Sequence, residues 1–544
     1  MRQANLFLSL FFFTSIVIFA QEIEAPVNPD FLIWQQKVLS GESVSGDIPY
    51  YVNPNFNGKI KQTKNKSFDA VYDLRNEGFV TPVKNQGSCG VCWTFAALGS
   101  VESYMVKNGL GILDFSEQNM RTCHDFELDV DLTCSGGNAK KAAAYLTRID
   151  GPVDEITDIY DDDMYATCTS GLPIQYRIEQ FRLFNDSMDI IKQAILDYGA
   201  LSTNMFNDVA YYNSSDHTYY YNGSSSTDHA ILLCGWDDNK VTAGGTGAWI
   251  IKNSWGVTWG ENGYFYISYN DTKVNSTVGA YPGISQIESG DNIYMYDELG
   301  WIGNVGYASE TGFGLIKYIS EANEQINAVG IFVNSEAATI NIDIYDTKTG
   351  NTLSGLLASV GPVSCDYPGY YKINLTSPVQ LTTGQDFYIK VQYFTPGYNY
   401  PIPYEKLSTG YANPVIESGV CWISSTGTSW TLVGNDVAGK ERDLCIRAYT
   451  GDISSSINRV EESNQKILIY PQPAFDNLNI QINSEYKNYE IQLMSIDCKI
   501  LKKISLCQSD KCSVYVGDLK SGLYFIRIIS LNGDQANICK WIKK

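Results

Sequence analysis

Apolar positions recur along this chain with two different periods, and the switch between them divides it. Near the N-terminus Phe31, Trp34 and Val38 fall at helical spacing. They follow Asn28-Pro29, a helix cap with proline at the first helical position, and Gly41 stops the run. A second helical pattern, through Phe95, Ala96, Leu98, Val101 and Tyr104, starts directly after Cys92. From Tyr198 onward the pattern turns to strands: Leu201–Met205, His229–Trp236, Ala248–Asn253 and Gly263–Tyr269. Beyond residue 285 few helical patterns remain. Ile340, Ile342 and Ile344 alternate with polar residues, and Tyr371–Leu375 and Phe387–Tyr393 read the same way between Gly, Pro and Asn turns. This predicts an all-β sandwich over 286–450. Residues 451–465 are rich in Ser, Asn and Glu and read as a linker. Residues 466–544 carry short strands set off by turns, enough for a small all-β sandwich.

Length and charge narrow the picture. A chain of 544 residues has room for three or four domains, and 44% hydrophobic residues exclude a largely disordered one. A formal charge of −21 argues against nucleic acid and anionic membrane as partners. The 38 tyrosines suit β-rich domains, most of them as strand-forming surface residues. Arg2 followed by the apolar run Leu6–Ala20 fits a secretory signal over residues 1–20, too short for a comfortable membrane span. No other stretch is long and apolar enough to cross a bilayer, so the protein is expected to leave the membrane. Export permits disulfides, and 13 cysteines, an odd number, leave one thiol for chemistry.

Chemistry concentrates in P-V-K-N-Q-G-S-C-G-V-C-W, Pro82–Trp93. Cys92 falls at the start of a helix, where unpaired N–H groups and the helix dipole favour a thiolate. A thiolate nucleophile needs a base and a place for the oxyanion it creates. Gln86 can donate its side-chain N–H to that oxyanion beside the Cys92 backbone N–H. The three histidines are His124, in an acidic loop, His217, in a polar loop, and His229, at the head of a buried strand. His229 is the candidate base. Asn253 is the candidate to orient it, with Trp255 placed to shield their hydrogen bond. Taken alone, Cys89-x-x-Cys92 reads more often as a redox or metal pair than as a catalytic site.

Together these motifs resemble the papain-like cysteine peptidases over residues 67–275. In this family the His and Asn lie about 130–150 residues after the Cys. Here 137 residues separate Cys92 from His229 and 161 separate it from Asn253, and a Gly-rich loop over Lys240–Gly247 is expected to absorb the excess. Val91 departs from the family's Ser or Ala and is expected to crowd the cleft without inactivating it. The resemblance implies an α+β, two-lobed peptidase domain over 67–285, a helical lobe carrying Cys92 and a β lobe carrying His229 and Asn253. It implies disulfides Cys89–Cys134 and Cys123–Cys168. Cys234 reads as a buried apolar residue, and the seven later cysteines cannot be paired from sequence. Cys134-Ser135-Gly136-Gly137 resembles the family's substrate-binding glycines, where absent side chains let a strand approach Gly136 and Gly137. Ala230 and Asn204 line the specificity pocket by the same alignment. Residues 21–66 take the place of the propeptide that blocks the cleft in this family, or form an extension packed on the domain. Asp161–Asp163 reads as a solvated loop.

Asp291–Trp301 resembles the start of the lectin-like domain that follows some bacterial papain-like peptidases. The last 79 residues resemble the C-terminal sorting domain of the type IX secretion system. The combined expectation is a secreted or cell-surface peptidase with protein or peptide substrates and no metal or organic cofactor. A glycan or cell-surface ligand is expected for 286–450 and the outer-membrane secretion machinery for 466–544. The rival readings are an acyltransferase of related architecture and a catalytically idle adhesin.

Overall fold

A computed structural model of the chain describes residues 21–42, 44, 46–58, 67–126, 134–185 and 187–453, together with segments 467–470, 477–482, 489–495, 499–507, 511–520, 522–530 and 536–543. The expected signal and most of the expected linker lie outside the described residues. The chain divides into two compact units between Ile453 and Ser454.

The first unit holds five α-helices among its described residues: α1 (Pro29–Leu39), α2 (Cys92–Lys107), α3 (Glu117–Thr122), α4 (Ala139–Leu146) and α5 (Met188–Tyr198). The start of α1 matches the sequence signal: the Asn28 side chain accepts from the Asp30 N–H, Pro29 takes the first turn, and Phe31, Trp34 and Val38 are buried. Helix α2 is buried on nearly every side and packs against the strands Leu201–Met205 and His229–Thr242. It is the axle of the unit, and its weak amphipathicity follows from having core all round.

One sheet runs through the whole unit. Starting in the C-terminal part, the strand Ile446–Asp452 pairs with Glu324–Val333, which pairs with Gly369–Leu381. That strand pairs in turn with Gln180–Phe184, placing Tyr370 opposite Phe181. The ladder continues through Val278–Ala280, Leu201–Met205, His229–Thr242, Gly245–Lys252 and Tyr264–Ser268. The change of pattern at residue 285 is real, yet the hydrogen-bonded sheet crosses it. Trp93, Leu98 and Tyr145 share a core with Trp301, Phe332, Tyr370 and Tyr449. A fully buried ion pair, Arg447 Nε to Asp297 at 2.9 Å, reinforces this seam, and Arg447 Nη1 also donates to the Thr147 hydroxyl just beyond α4. Truncating Arg447 would strand a buried carboxylate, a cost of about 3–5 kcal/mol.

The second sheet of the sandwich runs from Thr352–Cys365 through Ala338–Thr349, Asp386–Phe394, Thr311–Ile319 and Cys421–Ser424 to Thr431–Val433. Ile340, Ile342 and Ile344 point into the core, as their alternation predicts. Many tyrosines depart from the surface role expected of them. Tyr318, Tyr370, Tyr393, Tyr404 and Tyr449 are buried, and several find hydroxyl partners, such as Tyr318 with the Ile446 carbonyl.

Two local expectations need correction. The hairpin bulges between Asp237 and Val241 and pairs again to Thr242 opposite Gly245, so the excess spacing before Asn253 lies in this bulge and the paired extension, and only Ala243-Gly244 forms the turn. Val91 is fully buried in the core shared with α2 and does not crowd the cleft. The Asp161–Asp163 run is the exposed loop expected of it, and there Asp162 accepts from the Ser88 N–H and hydroxyl, bracing the turn before Cys92. Disulfides join Cys89 to Cys134 and Cys123 to Cys168, and Cys234, Cys365, Cys421 and Cys445 are free and buried.

The described part of the second unit is all β. A three-stranded sheet and a four-stranded sheet enclose Leu478, Ile480, Ile491, Leu493, Val514, Ile526 and Trp541.

Candidate active site

Two stretches distant in sequence are stitched together beside α2. Gln86 N–H donates to the Ser254 carbonyl at 2.8 Å, Gly256 N–H donates to the Lys84 carbonyl at 3.1 Å, and Asn85 bridges Trp255. The Gly87–Gly90 turn then delivers Cys92 as the first residue of α2, capped by no side chain at Val91. Its sulfur accepts from the Ala230 backbone N–H at 3.2 Å, which ties the helix start to the facing strand.

On that strand His229 is the first residue. The antiparallel partner Gly245–Lys252 ends just before Asn253, so His229, Asn253 and Trp255 come side by side. His229 Nε2 lies 2.9 Å from Asn253 Oδ1. Ser254 N–H also donates to Oδ1, which fixes the oxygen end of the amide. Nε2 therefore carries the proton and donates, leaving Nδ1 as the basic ring atom. The Trp255 ring stacks on His229 with centroids 4.7 Å apart, and Trp259 meets Trp255 edge-on. Water is thus kept from the His–Asn hydrogen bond.

Gln86 is buried and doubly held. Its Nε2 donates to the Cys89 carbonyl at 2.7 Å, and its Oε1 accepts from the Ser254 hydroxyl at 2.5 Å. One N–H remains for a ligand. Ser254 thus orients both amides, a role no sequence signal marked beyond its place next to Asn253. All eight residues singled out from sequence converge here: Cys92, His229, Asn253, Gln86, Trp255, Ala230, Gly136 and Gly137. Asn204 lies opposite Ala230 on the neighbouring strand. His217 and His124 stand elsewhere, bonded to the Tyr212 hydroxyl and the Phe126 N–H.

The cleft is occupied by the chain's own N-terminal segment. Asp47 pairs in parallel with Gly137: Gly137 N–H donates to the Gly46 carbonyl at 2.9 Å and Ile48 N–H to the Gly137 carbonyl at 2.8 Å. A Cβ on Gly136 would meet the Gly46 oxygen at 2.5 Å, so the missing side chain is what admits this strand. Gly46 is equally constrained, with φ +90° and the Asp228 carbonyl 1.8 Å from where a Cβ would stand. The Asp47 N–H donates to that carbonyl, and the Thr227 hydroxyl donates to the Asp47 carboxylate. A cavity of about 300 Å³ beside the segment is lined by Asp47, Asn204, Thr227 and Lys273.

Burial acts on both members of the pair. Burial pushes the Cys92 thiol up to about 12, with the Ala230 N–H opposing and the Asp47 charge adding to the rise. Burial pushes His229 down to about 4 against the Asn253 hydrogen bond. Both shifts oppose the thiolate that the helix start favours, and the Asp47 charge contributes to the one on Cys92.

Residues 68–282 match the family model described as papain family cysteine protease, residues 293–450 that of the lectin like domain, and residues 468–544 that of the secretion system C-terminal sorting domain. The chain is 30% identical over 216 residues to cysteine proteinase 1 of Dictyostelium discoideum, covering 37% of this chain and 61% of that protein. It is 30% identical over 242 residues to cathepsin K of Mus musculus, covering 43% of this chain and 67% of that protein. The solved structure of the cysteine protease and lectin-like domains of Cwp84, a surface layer associated protein of Clostridium difficile, superposes with a TM-score of 0.67 at 23% identity, covering 79% of this chain and 98% of that one. The likeness to Cwp84 shows a shared fold in which the two-lobed domain is followed by a lectin-like all-β domain.

Proposed function

The chain belongs to the papain family of cysteine proteases, and from that premise we propose that it is a secreted cysteine peptidase that hydrolyses peptide bonds through a thioester on Cys92. The observation that carries this reading is His229 held by Asn253 and Trp255 with Nδ1 left free, on the strand whose next N–H touches the Cys92 sulfur. His229 Nδ1 takes the thiol proton, and the sulfur bonds to the substrate carbonyl carbon. The carbonyl oxygen becomes an oxyanion held by the free Gln86 N–H and the Cys92 N–H. The C–N bond breaks, and His229 passes its proton to the leaving amine. Water, giving a proton to His229, then attacks the thioester and releases the acid and the thiol. Substrates enter as protein strands along Gly136 and Gly137, with Ala230 and Asn204 beside them.

Residues 21–58 act as the segment that keeps the enzyme closed. Burial raises the Asp47 carboxyl from the usual 3.8 to about 7, with Thr227 opposing and the Asp228 charge adding. Cys92, Tyr50 and Tyr411 also feel the Asp47 charge. Docking therefore takes up a proton. The contribution of Asp47 is fully present below about pH 4 and is lost as pH climbs to about 7. At Glu24 burial raises the carboxyl, but Lys406 and Arg442 outweigh it and hold it below its usual 4.5, so its contribution fades only on the acid side. Asp47→Asn should hold the segment more tightly than the wild type does above about pH 7. Iodoacetamide labelling of Cys92 in the full chain should be similar in the two proteins near pH 4 and at least about tenfold slower in Asp47→Asn at pH 7 to 8. A ratio that does not change with pH would contradict this.

Export uses the N-terminal signal and then the C-terminal module, read by the outer-membrane secretion machinery. Deleting 466–544 should leave the purified peptidase fully active and, in the native host, trap it behind the outer membrane. Normal surface or medium appearance of the truncated protein, followed by antibody, would remove the address role. The lectin-like fold of residues 293–450 supports a glycan or cell-surface ligand for the sandwich, by fold analogy alone. A peptide-substrate assay with and without an added amine, run beside a glycan-binding test, separates the peptidase from the acyltransferase and the idle adhesin. Release of free acid with the amine present supports the peptidase. Dominant amide product, or sugar binding with no turnover, contradicts it.

A further inference from the structure

The segment over the cleft is tied to the β-sandwich as well as to the lobes it covers, where Lys140 Nζ donates to the Val52 carbonyl at 2.8 Å and Asn138 Nδ2 to the Ile48 carbonyl at 3.0 Å. At its start, Ile23–Glu24 adds as an edge strand to Gly303–Gly306, antiparallel, with Ala25 N–H donating to the Asn304 carbonyl at 2.8 Å. Two carboxylates flank this short strand, and three sandwich cations meet them. Glu24 reaches Lys406 at 2.8 Å and Arg442 at 3.2 Å, and Glu22 reaches Lys440 at 3.3 Å and Arg442 at 3.5 Å. The Arg442 side chain is only 3% exposed and lies over the Tyr404 ring, so this cation is built into the fold.

Two further ties lead to the same body. Helix α1 lays Phe31, Trp34 and Val38 against Leu299, Ile302, Tyr411 and Ala412, and Gln35 donates to the Thr409 carbonyl. At the far end, Asn55 N–H donates to the Asn334 carbonyl, its side chain to the Ser335 hydroxyl, and its carbonyl accepts from Glu336 N–H. Both ends of the segment rest on the sandwich, and the stretch around Gly46–Ile48 is pressed into the cleft between them. An edge strand offers main-chain pairing without regard to sequence, and the basic side chains on either side select acidic residues at alternating positions.

We infer that the edge Gly303–Gly306 with Lys406, Lys440 and Arg442 is a binding site for an extended acidic peptide, filled in this chain by Glu22–Ala25, and that its occupancy keeps the cleft shut. The sandwich is thereby the anchor of the closing segment. This rests on the reading of residues 21–58 as that segment. The anchor lies some 40 residues before Asp69 and the other residues that open the protease match, so a chain cut within 59–66 keeps every one of these ties. Dissociation, not the cut, then sets when Cys92 is uncovered. Raised salt should speed opening of either form, because the partly exposed pairs are screened.

The test uses charge reversal in the full chain, read by Cys92 labelling with iodoacetamide, which does not depend on turnover. Glu22→Arg/Glu24→Arg and Lys440→Glu/Arg442→Glu should each label at Cys92 at least about tenfold faster than the wild type at pH 7.5, because like charges then face one another. Combining all four changes should recover a large part of the protection. Buried Cys234 serves as the internal control and should stay unlabelled throughout. Wild-type labelling rates in both double variants, no recovery in the combined variant, or labelling that spreads to Cys234 would each overturn the assignment. Faster labelling and recovery without peptide turnover would support the anchor while contradicting the peptidase reading, so the two stand or fall separately.

Discussion

Replacing His229 with alanine lowers peptide hydrolysis by the opened enzyme by roughly 10⁴- to 10⁶-fold. The opened enzyme is the chain freed of residues 21–66. The expected loss is this large because one ring does three jobs: Nδ1 takes the thiol proton, delivers it to the leaving amine, and takes another from water. Among the described residues nothing nearby can substitute. His124 and His217 are committed to other partners, and Lys141, lowered to about 7 by burial, is aimed at the Gly136 carbonyl. Alanine at Asn253 should cost far less, since that amide orients the ring and moves no proton. The measurement is kcat/KM on an unstructured peptide for both variants beside wild type. A His229→Ala enzyme within tenfold of wild type would remove the ring from the chemistry.

Gln86→Ala should lower kcat by roughly 10²–10³ with little change in KM, because its free N–H acts on the oxyanion and not on the bound substrate. The geometry adds a second expectation. Ser254 holds the oxygen end of the Gln86 amide, so Ser254→Ala should loosen the donor and give a smaller loss in the same direction. Gln86→Glu should be damaging as well, since a carboxylate would face developing negative charge. An alanine variant with wild-type kcat, or one whose whole loss lies in KM, would contradict the oxyanion assignment.

The residues of the site were legible in sequence because their chemistry is compact: a cysteine at a helix start, one histidine heading a buried strand, and an asparagine beside tryptophan. The N-terminal helix was equally legible, since Asn28-Pro29 and the spacing of Phe31, Trp34 and Val38 are local signals. What pairs over long distance was not. Nothing in Gln180–Phe184 or Gly369–Leu381 announces that they join two β regions into one sheet, because strand pairing leaves no mark on either strand alone. The burial of tyrosines such as Tyr370 and Tyr449 depends on that seam, where their hydroxyls bond to each other. The helix start at Cys92 is a local signal, but the Asp47 charge that opposes ionisation of its thiol comes from a residue 45 positions away. Glu22 and Glu24 carry no local signal of their partner Arg442, more than 400 residues away in the chain.

The most direct test of the central claim, a thioester on Cys92 that passes to water, is a burst experiment on the opened enzyme. An N-acyl amino acid p-nitrophenyl ester is mixed with a known amount of enzyme, and the reaction is quenched with acid early and late. The predicted result is a burst approaching one p-nitrophenol per chain, an acyl group found by mass on the peptide containing Cys92 in the early sample, and free acid as the product in the late one. No burst, an acyl group on another residue, or an acyl group that leaves only when an amine is supplied would contradict it.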